Sequence, residues 1–109
     1  MPYISNYLCV RPGVREFLLK LSEFYEIIIW TASYEDYTNP ILDYLGVKAN
    51  VKKVLYRGNC TIEKNAVYKD LNALNRNLEK TIIVDNTAAC FAKHPRNGIL
   101  IADFIGKPD

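Results

Sequence analysis

Apolar positions recur along this chain in two rhythms, helical spacing and short unbroken runs. Val14, Phe17, Leu18 and Leu21 share one helical face and predict an amphipathic helix over about residues 12–23, with Pro12 suited to its first turn. The run YEIIIW, 25–30, has strand length and no polar alternation, as a strand covered on both faces would. Ser33 and Asp36 make a capping-box pattern, so a second helix is expected from Tyr34, with Tyr37, Ile41, Leu42 and Leu45 on one side and Gly46 at its end. Pro40 should kink or split it.

Beyond it, VKKVLYR reads as a strand and Glu63-Lys64-Asn65-Ala66 as a hairpin turn before AVYK. Residues 70–79 predict a short helix with Leu71, Leu74 and Leu78 on one face. TIIVD is the next expected buried strand, AACFAKHP a helical turn ended by Pro95, and GILIADF a closing strand; residues 3–10 alternate loosely and suit a short strand. Helices alternating with buried runs predict one α/β domain over 1–109 with a mostly parallel sheet. Ligands bind such sheets outside the carboxyl ends of the strands. Two of those ends carry polar triplets, Thr31-Ala32-Ser33 and Asp85-Asn86-Thr87.

Composition narrows the classes. Of the 109 residues, 50% are apolar and 24% charged, a globular balance; a net charge of +2 is too small to argue for nucleic acid or an anionic membrane. Cys9, Cys60 and Cys90 are odd in number and lack a C-x-x-C pair, which argues against a disulfide framework or zinc and for a reducing, intracellular compartment, nuclear or cytoplasmic. No leader pattern and no apolar run of about 18 residues is present, so neither secretion nor a membrane span is expected. Cys90 and Arg96 have the C-x5-R spacing of cysteine-dependent phosphatases, but the intervening residues lack the glycines that aim backbone N–H groups at phosphate. His94 reads as a loop histidine hydrogen-bonded to backbone.

The remaining polar groups fit one chemistry. Thr31 offers a hydroxyl beside the amides of a helix start, an anion cradle. Lys69 offers a compact positive charge, and Asp85 and Asn86 offer the hard oxygens that Mg²⁺ prefers. Cradle, cation and metal are the parts of a phosphoryl-transfer site.

RPGVREFL, IIIWTAS, Arg57-x-x-Cys60, VYKDLNALNRNL, IIVDN and HPRN, in this order and spacing, resemble the small carboxy-terminal-domain phosphatases. These are the NLI-interacting-factor, dullard-like branch of the haloacid dehalogenase superfamily. The resemblance covers about residues 7–104. It implies a three-layer, Rossmann-type sandwich and a Mg²⁺-dependent protein serine/threonine phosphatase acting on a phosphoprotein. Thr31 would hold the phosphate with the Ala32 N–H beside it, and Lys69 would neutralise the phosphoryl group. Asn86 would bind the metal directly and Asp85 through water, while Arg57 and Tyr37 would face the phosphopeptide.

The departures are as informative. The family's D-x-D-x-T motif, whose first Asp attacks phosphorus and whose second is the acid/base, is absent: these residues contain no Asp-x-Asp. Asp36 stands where the family has Lys, and Tyr34 where it has an apolar residue. The sheet is therefore expected to be incomplete at the family's first, central strand, leaving edges for residues 3–10, a partner or an oligomer to cover. An isolated chain of this kind should be inactive. The alternatives are a pseudophosphatase binding phosphate or protein, and a relative of the mitochondrial presequence import receptor.

Overall fold

The computed structural model describes residues 9–107. Helix α1 (Val14–Leu21) is followed by strand β1 (Ile28–Trp30), helix α2 (Glu35–Leu45) and strand β2 (Lys53–Leu55). β1 and β2 run parallel, Ile28 opposite Lys53 and Trp30 opposite Leu55, so β1–α2–β2 is a crossover unit. A hairpin of β3 (Thr61–Glu63) and β4 (Ala66–Tyr68) follows, then 3-10 turns at Leu71–Leu74 and Leu78–Lys80. Strand β5 (Ile83–Asp85) pairs in parallel with β6 (Gly98–Leu100), across 3-10 turns at Ala88–Phe91 and Pro95–Asn97.

Local chemistry explains the boundaries. Lys64 and Asn65 take φ of 49° and 68°, as a two-residue turn between right-twisted strands requires. Gly46 closes α2 at φ 68°, its N–H reaching the Leu42 and Asp43 carbonyls. Ser33 does not cap α2. Its N–H donates to the Thr31 hydroxyl, Tyr34 occupies the cap position, and the helix begins at Glu35. Pro40 does not split the helix, which runs unbroken with Thr38 and Leu42 buried to either side of it. Residues 70–79 form two 3-10 turns rather than a helix. The side chains of Asp70 and Asn77 capture the N–H groups of Asn72 and Glu79, and Asn75 enters the left-handed region at φ 56°.

Leu55, Leu71 and Leu74 form the core, with Ile28, Trp30, Leu78 and Ile83 packed against them. The cluster thus draws on strands of both parallel pairs. Arg76 reinforces this link, its Nε 2.6 Å and a second nitrogen 2.9 Å from the two carboxylate oxygens of Glu26, just before β1.

Among the described residues, no ladder hydrogen bond joins β1–β2 to β5–β6. The strands are accordingly less covered than their apolar runs suggest. Ile82, Val84, Ile99 and Leu100 are exposed, and β1 is half-buried along its length. Among the described residues the architecture is α/β with a sheet of parallel pieces, interrupted between β1 and β5. Residues 3–8 of the expected first strand lie outside the described residues, while Cys9 and Val10 are exposed and irregular.

Candidate active site

The end of β1 carries the first group of candidate residues. The Thr31 N–H donates to the Leu55 carbonyl at 3.0 Å, and the Thr31 hydroxyl accepts the Ser33 N–H at 3.0 Å, folding residues 31–33 into a tight loop. Arg57 braces that loop. Its N–H donates to the Ser33 carbonyl at 2.9 Å, its guanidinium donates to the Ala32 carbonyl at 3.1 Å, and its charge lies 5.9 Å from the centre of the Tyr34 ring. Cys60, not singled out as a site residue from sequence, puts its sulfur 4.0 Å from the Thr31 carbonyl. A shallow cleft beside Arg57 is lined by Tyr34, Glu35, Asp36, Tyr56, Gly58 and Asn59. Tyr37 is exposed and does not line it.

The second group stands at the end of β5. Lys69 and Asp85 are both buried, and the Lys69 Nζ donates to Asp85 Oδ2 at 2.6 Å. Asp85 Oδ1 accepts the Thr87 N–H at 3.0 Å, and the Lys69 N–H donates to the Cys90 carbonyl at 2.7 Å. A desolvated pair of this kind needs both charges and these extra bonds to hold. Burial pushes the Cys90 thiol up, with Asp85 adding to the effect and Lys69 opposing it. Cys90 is therefore a protonated packing residue beside the pair, opposite to a nucleophilic cysteine.

Asn86 donates its amide to Asp103 Oδ1 at 2.9 Å. A carboxylate only accepts, so this contact assigns the NH₂ to Asp103 and the carbonyl oxygen to the other side of the group. The donor set of Asp85 and Asn86 is all oxygen, which fits a hard cation such as Mg²⁺ that keeps several waters. Among the described residues, no cluster of three or more His, Cys, Asp or Glu forms a closed metal cage. The structure thus gathers Thr31, Ala32 and Arg57 in one group and Lys69 and Asp85, with Asn86 following in sequence, in another. No hydrogen bond or ion pair joins the two groups among the described residues.

His94 departs from expectation. Its ring Nε2 lies 2.9 Å from Asp70 Oδ1, so its partner is a carboxylate rather than backbone. The hydrogen bond to His94, followed by that from the Asn72 N–H, holds the Asp70 carboxyl below the usual carboxylate range. A depressed carboxyl contributes stability above its unfolded value, near pH 3.9, and loses it as pH falls through that value towards the lower folded one. Glu26, lowered by Arg76, acts in the same direction. The urea midpoint is expected to fall between about pH 5 and pH 3, and Asp70→Asn should make that fall shallower. Parallel midpoint-against-pH curves for the two proteins would contradict the assignment to Asp70.

Comparison with known proteins gives the family and the fold. The family described as NLI interacting factor-like phosphatase matches residues 2–109. A Caenorhabditis elegans CTD small phosphatase-like protein 1 is 39% identical over 102 residues, 94% of this chain and 21% of that protein. Phosphatase Herzog of Drosophila melanogaster is 43% identical over 100 residues, 91% of this chain and 28% of that protein. The human carboxy-terminal domain RNA polymerase II polypeptide A small phosphatase 2 is 37% identical over 99 residues, 91% and 36% respectively. The chain thus spans about a fifth to a third of these relatives. A solved structure of the fission yeast RNA polymerase II CTD phosphatase Fcp1, bound to beryllium fluoride, superposes with a TM-score of 0.71 at 24% identity, covering 91% of this chain and 28% of that one. That likeness establishes the fold.

Proposed function

The chain belongs to the NLI interacting factor-like phosphatase family, and from that premise we propose that it carries the phosphate cradle and metal corner of a Mg²⁺-dependent protein serine/threonine phosphatase site. The buried Lys69–Asp85 pair carries this reading. An ion pair buried at a strand's carboxyl end adds little stability over apolar residues of the same volume, so its chemistry is the better account of it.

The Thr31 hydroxyl and the Ala32 N–H hold phosphoryl oxygens, and Lys69 neutralises their charge. Asn86 and Asp85 would hold Mg²⁺ with their side-chain oxygens, and when bound the metal would supply further charge neutralisation at the phosphoryl group. Arg57 keeps the cradle loop in shape, and Tyr37 offers an exposed ring to the phosphoprotein. The family's attacking carboxylate and its acid/base partner come from an Asp-x-Asp motif, which does not occur in these 109 residues. By itself the chain binds a phosphoserine or phosphothreonine segment without cleaving it.

Calorimetry with a phosphoserine peptide and Mg²⁺ tests the reading. Saturable binding is expected, weakened about tenfold by Thr31→Val, the scale of one lost charge-assisted hydrogen bond. Heat of dilution alone at millimolar peptide would overturn it. Aryl phosphate hydrolysis should stay at the buffer rate; turnover that Thr31→Val abolishes would overturn the claim of inactivity.

A further inference from the structure

The proposed chemistry leaves His94 unused, although its side chain is only 9% exposed. Its surroundings give it a task. Asp70, the ring's partner, directly follows Lys69 in the chain, and Asp70 Oδ1 also accepts the Asn72 N–H at 3.0 Å. Lys69 is therefore held from two sides, by its own N–H on the Cys90 carbonyl and by its neighbour's carboxylate on His94.

The other end of the same turn holds the other member of the ion pair. The Asn97 amide donates to the Leu78 carbonyl at 2.7 Å and to the Thr81 carbonyl at 2.8 Å, on the segment that runs into β5 and Asp85. The His94 carbonyl accepts the Asn97 N–H at 2.9 Å, so the two ends of the turn are tied together. Gly98 completes it: a Cβ there would fall 2.1 Å from the Phe91 ring, so only glycine lets the ring lie against the backbone.

We propose that residues 94–98 form a clasp that sets Lys69 against Asp85, and that His94 is a positioning residue for the phosphate site, acting through Asp70. The clasp stands on the hydrogen bonds alone; its effect on anion binding rests on the phosphatase-site reading above. The hold requires an N–H donor at position 94 facing Asp70. Glutamine supplies one and leucine, of similar volume, does not, which separates positioning from space-filling.

The test compares the purified wild-type chain with His94→Leu, His94→Gln and Asp70→Ser. A serine at position 70 keeps an oxygen for the Asn72 N–H but is too short to reach the imidazole. Two readouts apply: solvent exchange of the Lys69 ammonium and backbone N–H by NMR, and sulfate affinity by amide shift titration. In His94→Leu and Asp70→Ser, exchange at Lys69 should rise about tenfold while that of β1 and β2 stays unchanged. Sulfate binding should weaken about tenfold in the same two variants. His94→Gln should lie within about twofold of wild type in both. Should His94→Leu fail to fold by circular dichroism, Asp70→Ser decides. Unchanged Lys69 exchange in folded Asp70→Ser overturns the clasp, as does a glutamine variant that behaves like leucine. Faster Lys69 exchange in a chain whose wild type binds no sulfate keeps the clasp and overturns the phosphate reading instead.

Discussion

Lys69→Met should lower unfolding stability by about 3–5 kcal/mol, the usual cost of removing one partner from a buried ion pair. The side chains of Lys69 and Asp85 are 10% and 7% exposed, so neither charge has water to fall back on. Methionine fills much of the lysine volume, and the loss would therefore report the stranded Asp85 carboxylate rather than a cavity. The double variant Lys69→Met with Asp85→Asn removes both charges and should recover more than half of the loss, since neutral pairs of like volume replace buried ion pairs at little cost. Urea unfolding of the two variants beside wild type checks this. A double variant no more stable than Lys69→Met would show that packing, not the unpaired charge, sets the penalty.

Leu71→Ala is expected to be comparably severe. Leu71 is 2% exposed and sits in the cluster that touches β1, β2 and β5. Truncation in such a site costs about 2–5 kcal/mol through lost transfer energy and the cavity left behind. Against a total of about 5–15 kcal/mol for a small domain, that leaves little reserve. Val84→Ala, on an exposed strand position, serves as the contrast and should stay within about 1 kcal/mol of wild type. Trp30 is the only tryptophan and packs on the same cluster, so its fluorescence follows this unfolding without a label. Equal midpoint shifts for Leu71→Ala and Val84→Ala would remove Leu71 from the centre of the core.

The α/β class, the β1–α2–β2 crossover, the 64–65 hairpin and the Gly46 stop were legible in the sequence because each rests on local chemistry. The polar triplets after apolar runs do stand at strand ends, Thr31 directly after β1 and Asp85 closing β5. Four features were not legible, the first for a local reason and the others for nonlocal ones. Leu71, Leu74 and Leu78 fit a helix, but side-chain capture by Asp70 and Asn77 made two tighter turns of it. The TIIVD run implied burial on both faces, yet a strand's coverage depends on neighbours that its own residues cannot specify; Ile82 and Val84 are exposed. The ion pair between Lys69 and Asp85 joins residues 16 apart, so spacing could assign each a role but could not reveal that they touch. His94 and Asp70 lie 24 residues apart and were hidden for the same reason.

The interruption between the two parallel pairs has a mechanical consequence. Ladder hydrogen bonds are directional and resist sliding, whereas apolar side-chain contacts tolerate small shifts at modest cost. Among the described residues, β1 and β5 are related through the leucine cluster and the Arg76–Glu26 bond rather than through a ladder. The span from Thr31 to Asp85 is therefore a soft coordinate, free to breathe by shear, while the Lys69–Asp85 distance within the second group is stiff. Whatever strand or ligand bridges the two ends would work chiefly by freezing that one degree of freedom.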